Sequence, residues 1–577
     1  MAGILDLKPN PVNIVGNPQR INFSSDDFKI LRERDTCYVD KSKLIEDILK
    51  YDDGKMMLFT RPRRFGKSLN LSMIRYFFDM KEDSRGLFQD LYLEKSPLFE
   101  ENLNQYPVVY LNFKDSNTVK AENTSKAIAG ILKNMVEDLI LKYDLEKELR
   151  NLELTYDDGS IMAGSFKQIT KVLKEKTGRE VVVLVDEYDN LVNKAYGNED
   201  FIEICTIIKD IFGALFKSNE YLKLGILTGV SRIGRELSFS DMNNLIVYGL
   251  THVFYYEYYG FTEEEVKALL KPHKIALTPE FYKMYNGYRL NNSQNMFNTA
   301  SILKFLDNFI KTGRLDLNSY WVNAATNAIL KDNIQGMNSR FKDNLLSMID
   351  GETIDESLVA SIDYESLDKP ENLFTLLIDT GYLCPIQQLS GDIYELKIPN
   401  KEVLYGYKDM VDRIVDTSGQ NLGDLCQSLA EGRTEEFEEQ LNDILLTVSS
   451  FHDFSEKENS YHNFMMGMFL YLLDSHDVKS NRESGRGRYD IALIPKEMFR
   501  KKYGPIILEF KAVTAREKDK NYKKCTGEEL EKLAQTALAQ IEEKAYYAEY
   551  LGIYKREDFL LIGIGAQGKE AKVCSNH

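Results

Sequence analysis

The sequence MMLFTRPRRFGKSLNLSMIRYFF, at residues 56–78, decides the fold of the N-terminal half of the chain. It passes from a short, continuously apolar stretch, through a loop that ends in Gly-Lys-Ser, into a stretch whose apolar residues have helical spacing. Continuous apolarity is typical of a buried parallel strand, and Gly-Lys-Ser at the start of a helix ends a phosphate-binding loop. The stretch therefore predicts a strand–loop–helix unit that binds a nucleotide.

The loop supplies the groups that a phosphate chain requires. Backbone N–H groups at the helix start cradle the anion, Lys67 reaches the β- and γ-phosphates, and Ser68 ligates Mg²⁺. Arg61 stands where the G-x-x-x-x-G-K-S pattern has its first glycine, and Pro62 follows it. Proline fixes φ near about −65°, so we expect rigidity to hold the loop entrance. The loop residues expected to contact the nucleotide are Arg63, Arg64, Phe65, Gly66, Lys67 and Ser68.

Two further apolar stretches bring polar residues to the same edge of the predicted sheet. VVVLV at 181–185 is followed by Asp186 and Glu187, an acidic pair that is costly at the end of a buried strand unless it serves a site. We expect Asp186 to hold Mg²⁺ through water and Glu187 to orient the attacking water. The stretch LGILTG precedes the residues expected near the γ-phosphate. These are Thr228, Ser231 and Arg232.

These motifs resemble the AAA-ATPase-like family of bacterial and archaeal proteins over about residues 18–250. Its members share the YVDK segment followed by Ser or Thr, the RPRRFGKS loop, the DEYD strand end and the TGVSRI segment. The resemblance implies ATP binding and hydrolysis, with Arg232 and Arg235 as candidate arginine fingers. It leaves open whether Arg63 and Arg64 contact phosphates or instead lie in solvent or pair with an acid such as Asp40. In such sites a neighbouring subunit often supplies an arginine, so self-association is an open alternative.

A second constellation lies near the C-terminus, in the stretches RYDIALIP and PIILEFK. Asp490 begins one predicted strand, and eighteen residues separate it from Glu509 in the next. Side chains alternate along a strand, so Glu509 and Lys511 share one face. We expect Asp490 and Glu509 to hold Mg²⁺, and Lys511 to activate the attacking water and stabilise the charge developing on a phosphate.

The pattern of this second site resembles the PD-(D/E)XK nuclease superfamily over about residues 425–565, with Tyr489 in the place of proline. The resemblance implies a restriction-endonuclease-like α/β domain that uses Mg²⁺ or Mn²⁺. It also implies accessory residues on the flanking elements, namely Glu458, His462, Glu483, Gln540 and Tyr546. Two alternatives stay open: a nuclease-like domain that binds without cutting, and a purely structural role for His462.

The charge distribution indicates a nucleic-acid partner for one segment only. The net charge of −17 at pH 7 argues against phosphate binding by the surface as a whole. Residues 479–525 reverse this, with fourteen Lys or Arg against six Asp or Glu and a net charge of +8. Such a segment can bind phosphates on an acidic body, so we expect nucleic acid as the partner. DNA is the expected kind, and the choice between DNA and RNA stays open.

Neither a membrane nor a zinc or redox site is indicated. No run approaches the about 18 uninterrupted apolar residues of a membrane helix, and a signal peptide is not recognisable, so a cytoplasmic protein is expected. The six cysteines include no C-x-x-C pair, so they are expected to be ordinary reduced thiols.

A chain of 577 residues exceeds the about 250–300 residues that one core supports. We expect an α/β multidomain protein with an AAA-type P-loop ATPase core at 18–260, a mainly helical lid or connector at 261–424, and the restriction-endonuclease-like domain at 425–565. Within the middle region, a β-hairpin is predicted at 383–398.

Three functional hypotheses follow from these sites. In the first, an ATP-binding and ATP-hydrolysing core regulates a Mg²⁺-dependent nuclease. In the second, the protein is a nucleotide-controlled switch or sensor whose C-terminal domain binds nucleic acid without cutting. In the third, only the ATPase is active.

Overall fold

The computed structural model describes residues 11–577 except 53–55, 115–120, 156–161, 163, 234–244, 253, 289–294, 322–326, 409, 412–421, 448–457 and 514–523. The chain divides into two compact units. The first consists of Met1–Trp321 with Asp355–Glu402, and the second of Val322–Ile354 with Val403–His577. The predicted middle region is thus divided between the two units.

The first unit is built on a parallel sheet of five strands. Their order across the sheet is Val108–Asn112, Val181–Asp186, Leu222–Gly229, Met56–Thr60 and Leu245–Tyr248. The continuously apolar stretches at 56–60, 108–113, 181–185 and 224–229 predict the first four strands, which the structure confirms, and the fifth was not predicted. All five strands are parallel, so their carboxyl ends lie at the same edge of the sheet. At this edge Leu222–Gly229 separates Met56–Thr60, which leads into the phosphate-binding loop, from Val181–Asp186, which ends in the acidic pair.

Helices cover this sheet and extend beyond it. Those of the first unit are Phe28–Glu33, Lys43–Tyr51, Lys67–Phe78, Pro97–Asn102, Ala121–Tyr143, Glu146–Leu149, Gly164–Thr177, Asn190–Ala195, Phe201–Phe216, Glu263–Leu270, Pro279–Tyr285, Thr299–Thr312 and Pro370–Asp379. The helix Thr299–Thr312 begins where the side chain of Asn298 accepts hydrogen bonds from two backbone N–H groups, and it ends at Gly313, whose φ is 70°.

Small antiparallel pieces complete the first unit. Ile14–Val15 pairs with Tyr38–Val39, and Phe261–Thr262 pairs with Met296–Phe297. The predicted hairpin is confirmed as Cys384–Ser390 paired with Ile393–Lys397, and a further strand, Ile354–Ser357, joins it at the boundary between the units.

The second unit holds a mixed sheet of five strands with helices. In spatial order the strands are His476–Ser480, Ile491–Pro495, Ile506–Ala512, Leu560–Gln567 and Glu570–Ser575. Only Ile506–Ala512 and Leu560–Gln567 are parallel to each other. The helices are Asn327–Gly336, Ser339–Ile349, Leu422–Ala430, Thr434–Thr447, Glu458–Met468 and Gly527–Lys544, with Lys401–Gly406 at the unit boundary. The stretches RYDIALIP, PIILEFK and FLLIGIG predict the three central strands, and the two outer strands were not predicted.

Two glycines let the helix Gly527–Lys544 lie directly on the sheet. A Cβ on Gly563 would be 2.1 Å from the carbonyl oxygen of Ala534, and one on Gly565 would be 2.2 Å from that of Leu530. These glycines are the register partners of Glu509 and Lys511 on the neighbouring strand. Residues paired across strands share a face, so this helix covers the face that carries the predicted nuclease residues.

Within the described part of the chain, no helix is both long and apolar enough to cross a membrane.

Candidate active sites

The phosphate-binding loop has the strand and helix that the sequence predicts, and two of its residues adopt left-handed conformations. Arg64 has a φ of 67° and Gly66 a φ of 83°. Lys67 is the first residue of the helix, and its Nζ donates hydrogen bonds to the carbonyl oxygens of Arg61 at 2.9 Å and Pro62 at 3.0 Å. Burial lowers the pKa of Lys67 to about 8, against the opposing effect of nearby carboxylates, foremost Glu187.

Arg61 anchors the entrance of the loop. Its side chain is 1% exposed, and its Nη1 donates to the carbonyl oxygens of Thr60 at 2.8 Å and Tyr248 at 2.6 Å. The guanidinium also lies 5.1 Å from the ring centroid of Tyr259 and 5.9 Å from that of Tyr256, in the range of a cation–π contact. The loop entrance is therefore fixed to the neighbouring strand end by Arg61.

The backbone of the loop is braced by the start of the helix Thr299–Thr312. Asn298 Nδ2 donates to the carbonyl oxygen of Arg63 at 3.3 Å, and the hydroxyl of Thr299 donates to that of Arg64 at 2.6 Å. More than two hundred residues separate these partners along the chain. No local signal in the sequence marked Asn298 and Thr299.

The other predicted loop residues have different surroundings. Arg63 is half-buried, and its charge acts on both Lys67 and Glu187. Arg64 is exposed, and its Nη1 donates to the carbonyl oxygen of Tyr320 at 2.5 Å. Ser68 is half-buried in the first turn of the helix.

Phe65, expected to contact the nucleotide, and Asp40, named as a possible partner of the loop arginines, both have other contacts. Phe65 is buried and packs edge-on against Tyr288 at 4.9 Å between ring centroids. Asp40, named as an alternative partner for the loop arginines, accepts instead from Asn13, the backbone N–H of Ser42 and that of Tyr92.

Asp186 and Thr228 form a buried pair at the carboxyl edge of the sheet. The hydroxyl of Thr228 donates to Asp186 Oδ1 at 2.5 Å, and the backbone N–H of Glu187 donates to the same oxygen at 3.1 Å. Asp186 Oδ2 is buried and has no hydrogen-bond partner among the described residues. Buried polar atoms are normally satisfied, so this free oxygen suits a metal ion or its water shell.

Glu187 follows in a strained backbone conformation, with a φ of 50°. Burial raises the pKa of its carboxyl group, the positive charge of Lys67 opposes this shift, and the charge of Asp186 adds to it. A carboxylate with a raised pKa, close to the loop lysine, has the character of a general base.

In the second unit, Asp490, Glu509 and Lys511 converge as the sequence predicts. Asp490 Oδ2 accepts from the backbone N–H of Phe510 at 2.7 Å, and the backbone N–H of Asp490 donates to Glu509 Oε2 at 3.3 Å. Lys511 Nζ lies 3.6 Å from Glu509 Oε1. Burial, reinforced by the charge of Asp490, raises the pKa of Glu509 to about 8.

Two of the predicted accessory residues contact this site. The side-chain amide of Gln540 donates to Glu509 Oε1 and to the hydroxyl of Tyr546, the latter at 2.9 Å. Gln540 lies on the helix Gly527–Lys544, so the close helix packing over Gly563 and Gly565 brings its amide to the carboxylate.

Comparison with known families identifies the domain that contains each site. A family model described as a predicted AAA-ATPase matches residues 23–238, and a model of the PD-(D/E)XK nuclease superfamily matches residues 456–576. The chain carries an AAA-ATPase-like domain and a PD-(D/E)XK nuclease superfamily domain.

One curated relative, from Azotobacter chroococcum mcd 1, is named as an uncharacterized protein in the vnfD 5' region. It is 24% identical to this chain over 306 residues, which cover 53% of this chain and 54% of the relative. The chain thus spans about half the length of the curated relative it matches.

The nuclease domain does not bring every predicted accessory residue to Glu509. His462 Nε2 lies 3.0 Å from Asp350 Oδ2, and its ring is 6.4 Å from that of Phe510, which points to the face opposite Glu509. Glu483 is exposed and pairs with Arg488 at 3.3 Å. The side chain of Glu458 lies outside the described residues.

The partner of His462 comes from a part of the chain that sequence reasoning assigned to the connector. Asp350 also accepts a hydrogen bond from the hydroxyl of Ser480. Asp350, His462 and Ser480 thus form a polar cluster behind the central strands of the nuclease domain. Asp350 is 112 residues from His462, and no spacing rule could have paired them.

The ATPase domain holds Arg232 and the DEYD motif in contacts that the sequence did not predict. Asp189 Oδ2 accepts hydrogen bonds from the backbone N–H groups of Val230 and Ser231, both at 2.9 Å. The DEYD motif thus holds the segment that follows the strand Leu222–Gly229 in place. Arg232 Nη1 donates to the carbonyl oxygen of Ala360 at 3.0 Å, and its backbone N–H to Asp379 at 3.3 Å. Arg235 lies outside the described residues.

Both candidate sites offer ligand atoms of the kind that divalent cations bind. Among the described residues no group of three or more His, Cys, Asp or Glu side chains is arranged to hold a metal ion. Each site nevertheless offers carboxylate oxygens, the ligands that Mg²⁺ and Mn²⁺ prefer. In the nuclease domain, the effect of Asp490 on the pKa of Glu509 reflects a repulsion between two carboxylates that a cation would relieve.

Proposed function

We propose that this protein binds and hydrolyses ATP, and that its nuclease domain cuts nucleic acid, DNA in particular, in a Mg²⁺-dependent reaction that the ATPase regulates. One observation supports the proposal above all. In each domain a lysine stands beside a buried carboxylate: Lys67 near Asp186 and the half-buried Glu187, and Lys511 near Glu509. Phosphoryl transfer and phosphodiester hydrolysis both require a cation-binding carboxylate and a positive group at the phosphate.

In the ATPase domain, Lys67 exchanges the carbonyl oxygens of Arg61 and Pro62 for phosphate oxygens of ATP. Ser68 and Asp186 are the residues that would hold Mg²⁺, which supplies charge neutralisation on the phosphates when bound. Thr228 keeps the carboxylate of Asp186 oriented through its 2.5 Å hydrogen bond. Glu187 accepts a proton from the attacking water.

In the nuclease domain, Asp490 and Glu509 would hold Mg²⁺ or Mn²⁺, which lowers the pKa of a bound water. Lys511 stabilises the negative charge that develops on the scissile phosphate. The amide of Gln540 fixes the orientation of the Glu509 carboxylate, as an outer partner of a metal ligand does.

A second candidate is a nucleotide-controlled switch whose C-terminal domain binds nucleic acid without cutting. It is favoured by the basic segment 479–525, whose net charge of +8 attracts nucleic-acid phosphates whether or not they are cut. The ATPase would then govern assembly or exposure of a binding surface.

Cleavage assays separate these candidates. Labelled single- and double-stranded DNA is incubated with Mg²⁺ or Mn²⁺, with and without ATP, using wild type, Lys67→Ala and Asp490→Ala. We expect Asp490→Ala to abolish cutting and Lys67→Ala to alter its response to ATP. If wild type binds DNA but cuts neither form under any of these conditions, the switch replaces the nuclease.

A further inference from the structure

A small hairpin carries three exposed arginines directly before the nuclease aspartate. Its strands, Glu483–Ser484 and Gly487–Arg488, pair antiparallel, and Asp490 follows two residues later. We call residues 482–488 the arginine hairpin. The side chains of Arg482, Arg486 and Arg488 are all exposed.

The backbone of the arginine hairpin is clamped to the end of the helix Gly527–Lys544. Gly485 has a φ of 61°, and a Cβ there would be 2.2 Å from the carbonyl oxygen of Lys544. The backbone N–H of Arg486 donates to that same oxygen at 2.8 Å. Only glycine permits this approach, so the turn of the hairpin is held against the helix end.

The same helix end links the hairpin to the carboxylates of the site. A Cβ on Gly487 would be 3.1 Å from the ring of Tyr546, so the strand after the turn packs on that ring. The hydroxyl of Tyr546 accepts from Gln540, whose amide also donates to Glu509. Two contacts therefore fix the position of the arginine hairpin relative to Glu509.

Arg488 can take up a phosphate at little cost. The pair between Arg488 and Glu483 spans 3.3 Å, and its side chains are 68% and 80% exposed. Exposed ion pairs are worth about 0–1 kcal/mol and weaken with salt. A phosphate oxygen can replace such a carboxylate, and guanidinium groups match phosphate geometry.

We infer that the arginine hairpin binds the phosphate backbone of the nucleic-acid strand beside the bond to be cut. The inference rests on the proposed nuclease function, since it names the substrate contact of that same site. A hairpin with a fixed backbone and three exposed arginines supplies local attraction on a chain whose net charge of −17 repels nucleic acid. Contacts to phosphates position a strand without reading its sequence.

The test measures binding by the full chain, with Asp490→Ala in every protein so that the probe stays intact. The variant Arg482→Ala/Arg486→Ala/Arg488→Ala is compared with Arg500→Ala/Lys501→Ala/Lys502→Ala. The control removes the same charge from exposed residues in the loop between the strands Ile491–Pro495 and Ile506–Ala512, which lies at the end of these strands opposite to Asp490 and Glu509. Fluorescence anisotropy gives the Kd for a labelled DNA duplex, and for RNA of the same sequence, from about 50 to 200 mM salt, the range over which phosphate contacts weaken.

For the hairpin variant we expect a Kd at least about tenfold higher, and a plot of log affinity against log salt that is shallower by roughly 0.9 for each lost contact to duplex DNA. The control should stay near the parent in both quantities. Equal losses in the two variants, or no loss in the hairpin variant with either probe, would overturn the inference while leaving the nuclease proposal intact. A parent protein that binds neither probe, together with a wild type that cuts nothing, would overturn both.

Discussion

Lys67 Nζ donates a 2.9 Å hydrogen bond to the main-chain carbonyl oxygen of Arg61, within the same phosphate-binding loop. Arg61 is in turn held by Thr60 and Tyr248, so the acceptor of this bond is fixed in position. In the proposed function, ATP must replace the carbonyl contacts of Lys67 with contacts to its phosphate oxygens. The affinity for ATP therefore depends on the difference between these two sets of hydrogen bonds.

Replacement of Lys67 by alanine removes the charge that reaches the phosphates. We expect Lys67→Ala to lower the ATP hydrolysis rate by about 100-fold or more, in the range found for loss of one transition-state donor. ATP binding by calorimetry and phosphate release give the two readouts. Lys29→Ala, which removes a partly exposed lysine of the same domain, serves as the control. Equal ATP hydrolysis rates for the two variants would show that Lys67 has no role in hydrolysis.

Gln540 is expected to act on the nuclease through Glu509. Gln540→Ala should reduce cleavage by roughly 10–100-fold and raise the Mg²⁺ concentration required, because the ligand carboxylate loses its orienting partner. A titration of cleavage against Mg²⁺ makes the measurement, and Gln535→Ala removes an exposed glutamine on the same helix. An unchanged Mg²⁺ requirement for Gln540→Ala would show that the contact is only structural.

Gly563 is expected to be required for the docking of the helix Gly527–Lys544. Gly563→Ala places a methyl group 2.1 Å from the carbonyl oxygen of Ala534, so the helix must shift. We expect a loss of about 1–3 kcal/mol in the free energy of unfolding and a drop in cleavage, since the helix carries Gln540. Gly552→Ala, where a Cβ meets nothing within 4 Å, should leave both quantities unchanged. Identical melting curves for the two variants would contradict the packing argument.

Glu402 predicts a pH dependence of stability in the first unit. Burial raises the pKa of Glu402 from 4.5 to about 7, although its carboxylate accepts from the hydroxyl of Ser301 and the backbone N–H of Tyr320. The unfolded chain loses this proton near pH 4.5 and the folded chain only near pH 7, so this group lowers stability as the pH rises through that window.

The size of this effect is on the order of 3 kcal/mol across the window. Glutamine keeps the shape of the protonated acid, so Glu402→Gln should match wild type near pH 5 and be the more stable protein near pH 8. Urea unfolding at the two pH values measures the difference. Parallel pH profiles for the two proteins would mean that Glu402 ionises in the folded state as it does in water.

Much of both sites could be predicted because their residues lie on short, locally recognisable stretches. The loop with Lys67 and Ser68 directly follows its strand, and Asp186 ends another. Strand alternation alone placed Glu509 and Lys511 on one face, as the structure confirms. In each case the pattern spans only a few residues, within which backbone geometry fixes where the side chains point.

Only the tertiary structure shows which residues far apart in the chain contact each other. Asn298 braces the phosphate-binding loop, and Asp350 joins His462 in the second unit rather than belonging to a separate connector. Arg232, predicted to sense phosphate, donates to Ala360. Such pairings depend on how whole elements pack, and side-chain spacing along one strand or helix carries no information about them. The sequence alone thus determined which local stretches carry the candidate residues of each site, while packing determined which distant residues hold those groups in place.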